Sequence, residues 1–190
     1  MDAGAGLTVA FVREDGGLLT VAFFGSGGAG TMVPLDAVAK RHRIVAVIRP
    51  APSKSWIRWV ARAALSRFGV GTRSAMANWA RQKRVPLLNA FSGRDADLAS
   101  RLKEFAPDVI LSSWAHPDGW AATRLGREFE LPVLIKVIGT DILVNARNER
   151  RRDRIAEALT AADAVAAVSR DLAQKVAELG VDPARIHVVH

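Results

Sequence analysis

Apolar residues fall in short continuous runs along this 190-residue chain, and longer amphipathic stretches separate them. Continuous apolar runs are typical of parallel strands that are covered on both faces. They predict seven strands, at residues 18–24, 43–48, 86–88, 108–112, 133–138, 164–168 and 186–189. The amphipathic stretches predict helices over about 32–41, 53–68, 73–84, 95–105, 119–130, 147–161 and 169–179.

This alternation of strand and helix predicts an α/β fold, with a doubly wound, mostly parallel, Rossmann-like sheet. Right-handed crossovers place every strand-to-helix loop at one edge of such a sheet. Ligands bind at that edge, beyond the carboxyl ends of the strands. Candidate chemistry is therefore expected in the loops that follow the strands.

The two ends of the chain depart from the regular order. The pentapeptide at residues 7–11 recurs at 19–23, which is too short an echo to be a structural repeat. We interpret residues 1–17 as a leader or an extra edge strand and residues 18–190 as the domain. Because the chain stops in or just after an apolar run, we expect the protein to continue past His190.

Positive charge is concentrated in one segment of the chain. The net charge is +8, and residues 37–94 hold thirteen Lys or Arg residues and no Asp or Glu. The rest of the chain holds fourteen basic residues against nineteen acidic ones. Such a block suits an anionic partner, namely phosphate, acidic lipid or nucleic acid, although a solvated basic face gives the same pattern.

Within this block, Lys54, Arg58 and Arg62 are spaced by four residues and form one stripe on the predicted helix over 53–68. Tryptophans beside arginines are typical of membrane-surface helices, so we expect this stripe to dock on an anionic membrane. The alternative is that the tryptophans pack on the sheet and the arginines face water. No recognised nucleic-acid-binding motif is present, so no nucleic-acid partner is expected.

Several classes of site are excluded or not expected. The chain has no cysteine, which excludes disulfides, thiolate metal sites and a cysteine nucleophile. The four histidines form no H-x-x-x-H or H-E-x-x-H motif, so no metal site is expected. There is no signal-peptide pattern and no apolar stretch long enough to span a membrane. We therefore expect a cytoplasmic protein, peripheral on the inner face of the membrane.

A glycine-rich loop at residues 25–30 follows the first predicted strand directly. Gly27 and Gly28 there allow backbone N–H groups to approach a phosphate at the start of the next helix. The spacing also fits the dinucleotide fingerprint, but Arg49 and Pro50 stand where that fingerprint wants an acid for the ribose. An arginine suits a 2′-phosphate, so NADP stays an open alternative.

Three later loops carry further candidates at the same edge. His116 follows the fourth strand and is a candidate acid, base or hydrogen-bond donor, or an ordinary loop histidine. Asp118 is expected to cap the helix that follows it. Gly139 and Asp141 follow the fifth strand and offer close backbone approach and a carboxylate for a sugar hydroxyl, or a simple turn. Ser169 is expected to cap the last helix.

In this order, the motifs of residues 105–190 resemble the N-terminal domain of family-4 glycosyltransferases of the GT-B fold. The matching stretches are Pro-Asp-Val-Ile at 107–110, Trp-Ala-His-Pro-Asp-Gly at 114–119, Leu-Pro-Val at 131–133, Gly-Thr-Asp at 139–141, the run 161–169 with Leu172, and 180–186. The resemblance implies the acceptor-side half of a GT-B architecture, whose second, donor-binding Rossmann domain is absent from this chain.

The resemblance also implies a function. A sugar would pass from a nucleotide-sugar donor to a sugar or lipid-linked acceptor, with retention of configuration and with no cofactor or bound metal. Gly27, Gly28, Asp118, Gly139 and Asp141 would line the cleft. The catalytic residues stay unassigned, with His116 as a candidate, and the chain alone is expected to be inactive.

Two alternative hypotheses about the function stay open. Residues 18–50 resemble the opening of formyltransferase-like proteins, which would make the chain a one-carbon transferase domain. A non-catalytic α/β nucleotide-binding module fits the same pattern of strands and helices.

Overall fold

Seven parallel strands form one sheet in the part of the chain that the structure describes. The computed structural model describes residues 17–25, 29–49, 72–89 and 95–189. The sheet has the strand order β3-β2-β1-β4-β5-β6-β7, and every neighbouring pair is parallel. The strands are β1 (Thr20–Phe24), β2 (Arg43–Arg49), β3 (Leu87–Asn89), β4 (Val109–Ser112), β5 (Val133–Val137), β6 (Ala164–Ala167) and β7 (Ile186–Val188). All seven lie within two residues of the runs that the sequence predicts.

Six α-helices connect the strands in the described part of the chain. They are α1 (Ala29–Ala39), α2 (Thr72–Lys83), α3 (Asp95–Phe105), α4 (Trp120–Phe129), α5 (Glu149–Ala161) and α6 (Arg170–Glu178). The predicted helix over 53–68 lies outside the described residues. Ser169 caps α6 as expected, because its side-chain oxygen accepts a hydrogen bond from the Leu172 N–H at 3.2 Å. The predicted doubly wound, Rossmann-like fold is confirmed.

Helices cover both faces of the sheet, as continuous apolar strands require. On one face, α1 and α2 pack Leu35 and Met76 against strand residues that include Phe23. On the other face, α3 to α6 pack against the alternate strand residues, with Ile135 and Ile155 fully buried. No helix in the described part of the chain is long and apolar enough to span a bilayer.

Two aspartates of the resemblance motifs tie strands together at the amino edge of the sheet. Asp108, just before β4, accepts hydrogen bonds from the N–H and the hydroxyl of Thr20 at 2.7 and 2.6 Å. Asp163, just before β6, accepts one from the Val133 N–H at 2.7 Å. Both carboxylates satisfy donors at the start of the neighbouring strand. They therefore lie at the edge opposite to the one where ligands are expected.

The strand order reverses direction between β1 and β4, since the chain proceeds outward from β1 to β3 and then returns to place β4 on the other side. In open parallel sheets, the crevice at the carboxyl ends of the two strands that flank such a switch point is the usual ligand site. The carboxyl ends of β1 and β4 flank this crevice, and the loop after β5 begins at the same edge of the sheet.

Candidate functional site

The crevice at the switch point is framed by the carboxyl ends of β1 and β4. The Gly25 N–H donates to the Ile48 carbonyl at 3.0 Å, and the Ser113 N–H donates to the Phe24 carbonyl at 3.3 Å. These bonds extend the strand pairing to the last residue before each loop. Gly27 and Gly28 lie outside the described residues, between Gly25 and the start of α1.

The β4 loop, residues 113–119, folds back on itself. The Trp114 carbonyl accepts hydrogen bonds from the Ser112 hydroxyl at 3.0 Å and from the Gly119 N–H at 2.7 Å. A Cβ atom on Gly119 would lie 2.7 Å from that same carbonyl oxygen and 2.8 Å from Cδ1 of Ile135. Only glycine fits this position without moving the loop or β5, which explains the glycine that closes the Pro-Asp-Gly motif.

Asp118 is fully buried within the β4 loop and lies one residue before the N-cap position of the helix that it is predicted to cap. The N-cap position of α4 is Gly119, which has helical backbone angles of −64° and −40°. A capping side chain needs an extended residue at the N-cap, and here the turn runs into the helix without one.

Asp141 joins the β4 loop to the β5 loop, residues 138–144. Its Oδ1 accepts hydrogen bonds from the N–H groups of Ile138 at 3.2 Å and Gly139 at 3.0 Å. Its Oδ2 accepts one from the Ala115 N–H at 3.3 Å. The side chain is 0% exposed, and this burial raises the pKa of the carboxyl, while the backbone hydrogen bonds oppose the rise. Asp141 therefore holds two ligand-edge loops in register.

The second residue of the β5 loop has a backbone conformation that favours glycine. Gly139 has a φ of 107°, and its carbonyl accepts hydrogen bonds from the N–H groups of Ile142 and Leu143 at 3.0 and 2.6 Å. The helical turn that results, Thr140–Val144, leaves Leu143 and Val144 largely exposed. The Gly-Thr-Asp motif is thus a tight turn that presents two aliphatic side chains at this edge.

His116 projects from the middle of the β4 loop and is half-buried. Its backbone is extended, and the His116–Pro117 peptide bond is cis. Burial lowers the pKa of the imidazole below its usual 6.5, and the positive charges of Arg154 and Arg151 lower it further. At neutral pH the imidazole is therefore uncharged and offers one hydrogen-bond donor and one acceptor.

A group of arginines that the sequence analysis did not single out lies beside this loop. Trp120, the first residue of α4, has the guanidinium carbons of Arg124 and Arg154 at 5.1 and 5.2 Å from its ring centroid. The Trp120 indole N–H donates to Oε2 of Glu157 at 2.9 Å. The sequence does contain a signal for this group, namely the five arginines between residues 147 and 154. Acidic residues stand among them, so they do not add to the excess of positive charge, which lies in residues 37–94.

The structure thus brings His116, Asp118, Gly139 and Asp141 to one edge of the sheet, in two loops that a single carboxylate joins. The membrane candidates Lys54, Arg58 and Arg62 lie outside the described residues. Among the residues that are described, no three His, Asp or Glu side chains group closely enough to hold a metal ion.

Comparison with protein families gives one match over most of the chain. The model of the family described as Glycosyltransferase Family 4 matches residues 36–190. No curated protein matches the chain.

Solved structures with a similar fold are each about twice as long as this chain. Anabaena HepE in complex with UDP and glucose is 13% identical, with a TM-score of 0.59 over 92% of this chain and 44% of that one. The UDP-GlcNAc 2-epimerase from Neisseria meningitidis bound to UDP-GlcNAc is 12% identical, with a TM-score of 0.58 over 89% and 46%. The lipopolysaccharide outer core galactosyltransferase WaaB is 13% identical, with a TM-score of 0.51 over 90% and 45%.

Proposed function

Because this chain belongs to Glycosyltransferase Family 4, we propose that it is the N-terminal, acceptor-side half of a GT-B glycosyltransferase. In this proposal the complete enzyme moves a sugar from a nucleotide-sugar donor to a sugar or lipid-linked acceptor, with retention of configuration. The observation that carries it is the pair of ligand-edge loops that Asp141 joins beside the switch-point crevice. The fold neighbours support it by length, since this chain spans 44–46% of each of the three.

A uridine nucleotide is the first donor class to test. HepE was solved with UDP and glucose, and the epimerase with UDP-GlcNAc, so two proteins of similar fold hold UDP or a UDP-sugar. In our proposal, backbone N–H groups at Gly27 and Gly28 approach the donor phosphates from the loop after β1. No formyltransferase stands among the three neighbours named above, and the family match favours the glycosyltransferase reading.

The buried carboxylates and the half-exposed histidine take different roles in this proposal. Asp141 acts as a positioning residue, because its oxygens accept from backbone N–H groups. Asp118 is equally buried, within the β4 loop. His116 is the titratable side chain of these loops with access to a substrate, and its neutral imidazole suits hydrogen bonding to a sugar hydroxyl.

The 190-residue chain by itself is expected to release no UDP from UDP-glucose or UDP-GlcNAc. A GT-B site is shared between two domains, and groups preorganised on both are needed to stabilise the leaving diphosphate. The measurement is UDP release against a buffer blank. A second sample carries the chain fused to a family-4 donor-binding domain and is first shown to bind UDP.

Release that scales with the concentration of the isolated chain would contradict the shared-site proposal. A fusion that binds UDP but releases none from any UDP-sugar, with simple sugars and lipid-linked phosphates as acceptors, would contradict the transferase proposal.

We also propose that Lys54, Arg58 and Arg62 dock the domain on anionic membrane, which would bring a lipid-linked acceptor to the cleft. Each basic residue near an acidic surface is worth about 1 kcal/mol, so changing all three to Glu is expected to weaken vesicle binding by about a hundredfold or more. The measurement is co-sedimentation with phosphatidylglycerol vesicles at low salt. The matched control changes Arg127, Arg150 and Arg152 to Glu. An equal loss of vesicle binding in the two variants would contradict the membrane proposal.

A further inference from the structure

Two arginines of α5 flank the β4 loop. Arg151 and Arg154 are three residues apart on one face of the first two turns, and both side chains are exposed. Asn148 caps this helix by accepting a hydrogen bond from the Arg151 N–H at 3.2 Å. The helix packs against the β4 loop, and Arg154 lies over the ring of Trp120, which directly follows that loop. The positive charges of both arginines act on the half-buried His116 in the same loop.

Trp120 holds Arg154 in place. The guanidinium carbon lies 5.2 Å from the indole centroid, and the indole is itself fixed by its N–H bond to Glu157. A guanidinium that stacks on an aromatic ring loses less conformational freedom when it binds a ligand. Arg154 is therefore preorganised before any anion arrives.

Within the described residues, no carboxylate lies close enough to pair with either of these two arginines. Within the described ranges, neither guanidinium forms an ion pair, and the ion pair found there joins Lys175 and Glu178. The nearby Glu157 carboxylate accepts from Trp120 instead. Two guanidinium groups and a neutral imidazole together supply two positive charges and an additional hydrogen-bond donor.

This donor set matches a phosphate dianion better than a single carboxylate. Guanidinium groups bind phosphate oxygens with two parallel hydrogen bonds, and the two positive charges balance the two negative ones. We propose that Arg151, Arg154 and His116 bind a phosphate group of the acceptor, so that the acceptor is a phosphorylated sugar or a lipid-linked phosphate. This proposal rests on the proposed function, because it names the substrate of the acceptor-side half.

His116 provides a local reporter of the bound anion. Ionisable groups lie on the β4 loop itself and on the elements packed against it. They are Asp118 on the loop, Arg124, Arg127 and Glu128 on α4, Lys136 on β5, Asp141 on the β5 loop, and Glu149, Arg150, Arg151, Arg152, Asp153, Arg154 and Glu157 on α5. Among these, the charges that lower the pKa of His116 are those of Arg154 and Arg151. A phosphate between the two arginines offsets those charges, so binding is expected to raise the pKa of His116.

The test is NMR of the histidine rings of the 190-residue chain during titration with inorganic phosphate at pH 7. The expected results are saturable shifts of the His116 ring signals and a rise in its pKa. In an Arg151→Gln, Arg154→Gln double variant we expect affinity to fall at least about tenfold, since charge-assisted hydrogen bonds are the strong ones. The matched control, Arg127→Gln with Arg152→Gln, removes the same charge from exposed positions and should bind within about twofold of the parent.

Equal affinity in the two double variants, or phosphate binding that leaves His116 unmoved, would overturn the proposal. A second arm uses vesicles that contain phosphatidic acid, whose headgroup is a phosphate monoester, in place of inorganic phosphate. It is run on the variant with Lys54, Arg58 and Arg62 changed to Glu, so that vesicle binding through that stripe does not contribute. If the His116 signals respond to both probes, the phosphate group belongs to a lipid headgroup. If they respond to inorganic phosphate alone, it belongs to a soluble phosphorylated acceptor. UDP release by the fusion protein is measured separately, so failure of this subsite is distinguishable from failure of the glycosyltransferase proposal.

Discussion

Replacing Asp141 by alanine is expected to destabilise the domain by about 3 kcal/mol. The change removes the acceptor of the N–H groups of Ala115, Ile138 and Gly139. A buried donor that is left without a partner costs about 1–3 kcal/mol, and relief of the cost of burying the carboxylate offsets part of that sum. A loss of this size is a large share of the 5–15 kcal/mol that keeps a typical domain folded.

Thermal unfolding followed by circular dichroism measures this effect, and the midpoint should fall by about 6–12 °C for a domain of this size. Asp141→Asn keeps one acceptor oxygen and should lie between the parent and the alanine variant. Thr140→Ala, at the exposed neighbouring position, should change the midpoint by little. An Asp141→Ala protein as stable as the Thr140→Ala control would show that the carboxylate does not hold these loops.

The outcome also bears on the meaning of the Gly-Thr-Asp motif. An aspartate that follows a strand and a glycine fits both a sugar-binding carboxylate and a turn, and spacing alone does not separate them. The structure decides what the oxygens contact, because Ala115 lies 26 positions away in sequence and reaches Asp141 only when β4 and β5 pair. Hydrogen bonds of this kind depend on tertiary packing and leave no local pattern.

The sheet was predictable because its strands are buried on both faces. A strand such as β6, four consecutive Ala or Val residues, has no solvent-facing position to interrupt it. The helix ends followed from local chemistry where a cap is present, as at Ser169. The start of α4 was harder to predict, because the β4 loop passes directly into this helix, with Gly119 already helical.

The arginines beside His116 illustrate what sequence patterning leaves out. Their number is plain in the sequence, but a charged run on a helix is usually a solvated face. Their relevance comes from Trp120, which lies 34 residues before Arg154 and meets it only through the packing of α4 against α5. Burial of His116 also lowers the pKa of its imidazole, and burial of this kind depends on tertiary packing that a short stretch of sequence does not show.

Replacing Gly126 by alanine is expected to lower the free energy of unfolding by about 1–2 kcal/mol. Gly126 lies in α4, where the helix packs directly against β5, and a Cβ atom there would collide with Cγ2 of Val133. The same Cβ would lie 2.8 Å from the Leu131 carbonyl oxygen, which is backbone and cannot rotate away. Overpacking of this kind costs about 1–3 kcal/mol or more, against about 1 kcal/mol that alanine gains as a better helix former.

A double-mutant cycle with Val133→Ala locates the clash. Val133→Ala alone removes buried methyl groups and should destabilise the domain, but it also opens the space that the new Cβ needs. The Gly126→Ala, Val133→Ala protein should therefore be more stable than the sum of the two single losses predicts, by about 1 kcal/mol. Strict additivity would mean that α4 does not press on β5 at this point. In that case the close packing that positions the β4 loop at the start of α4 would have to come from Gly119 and Ile135 instead.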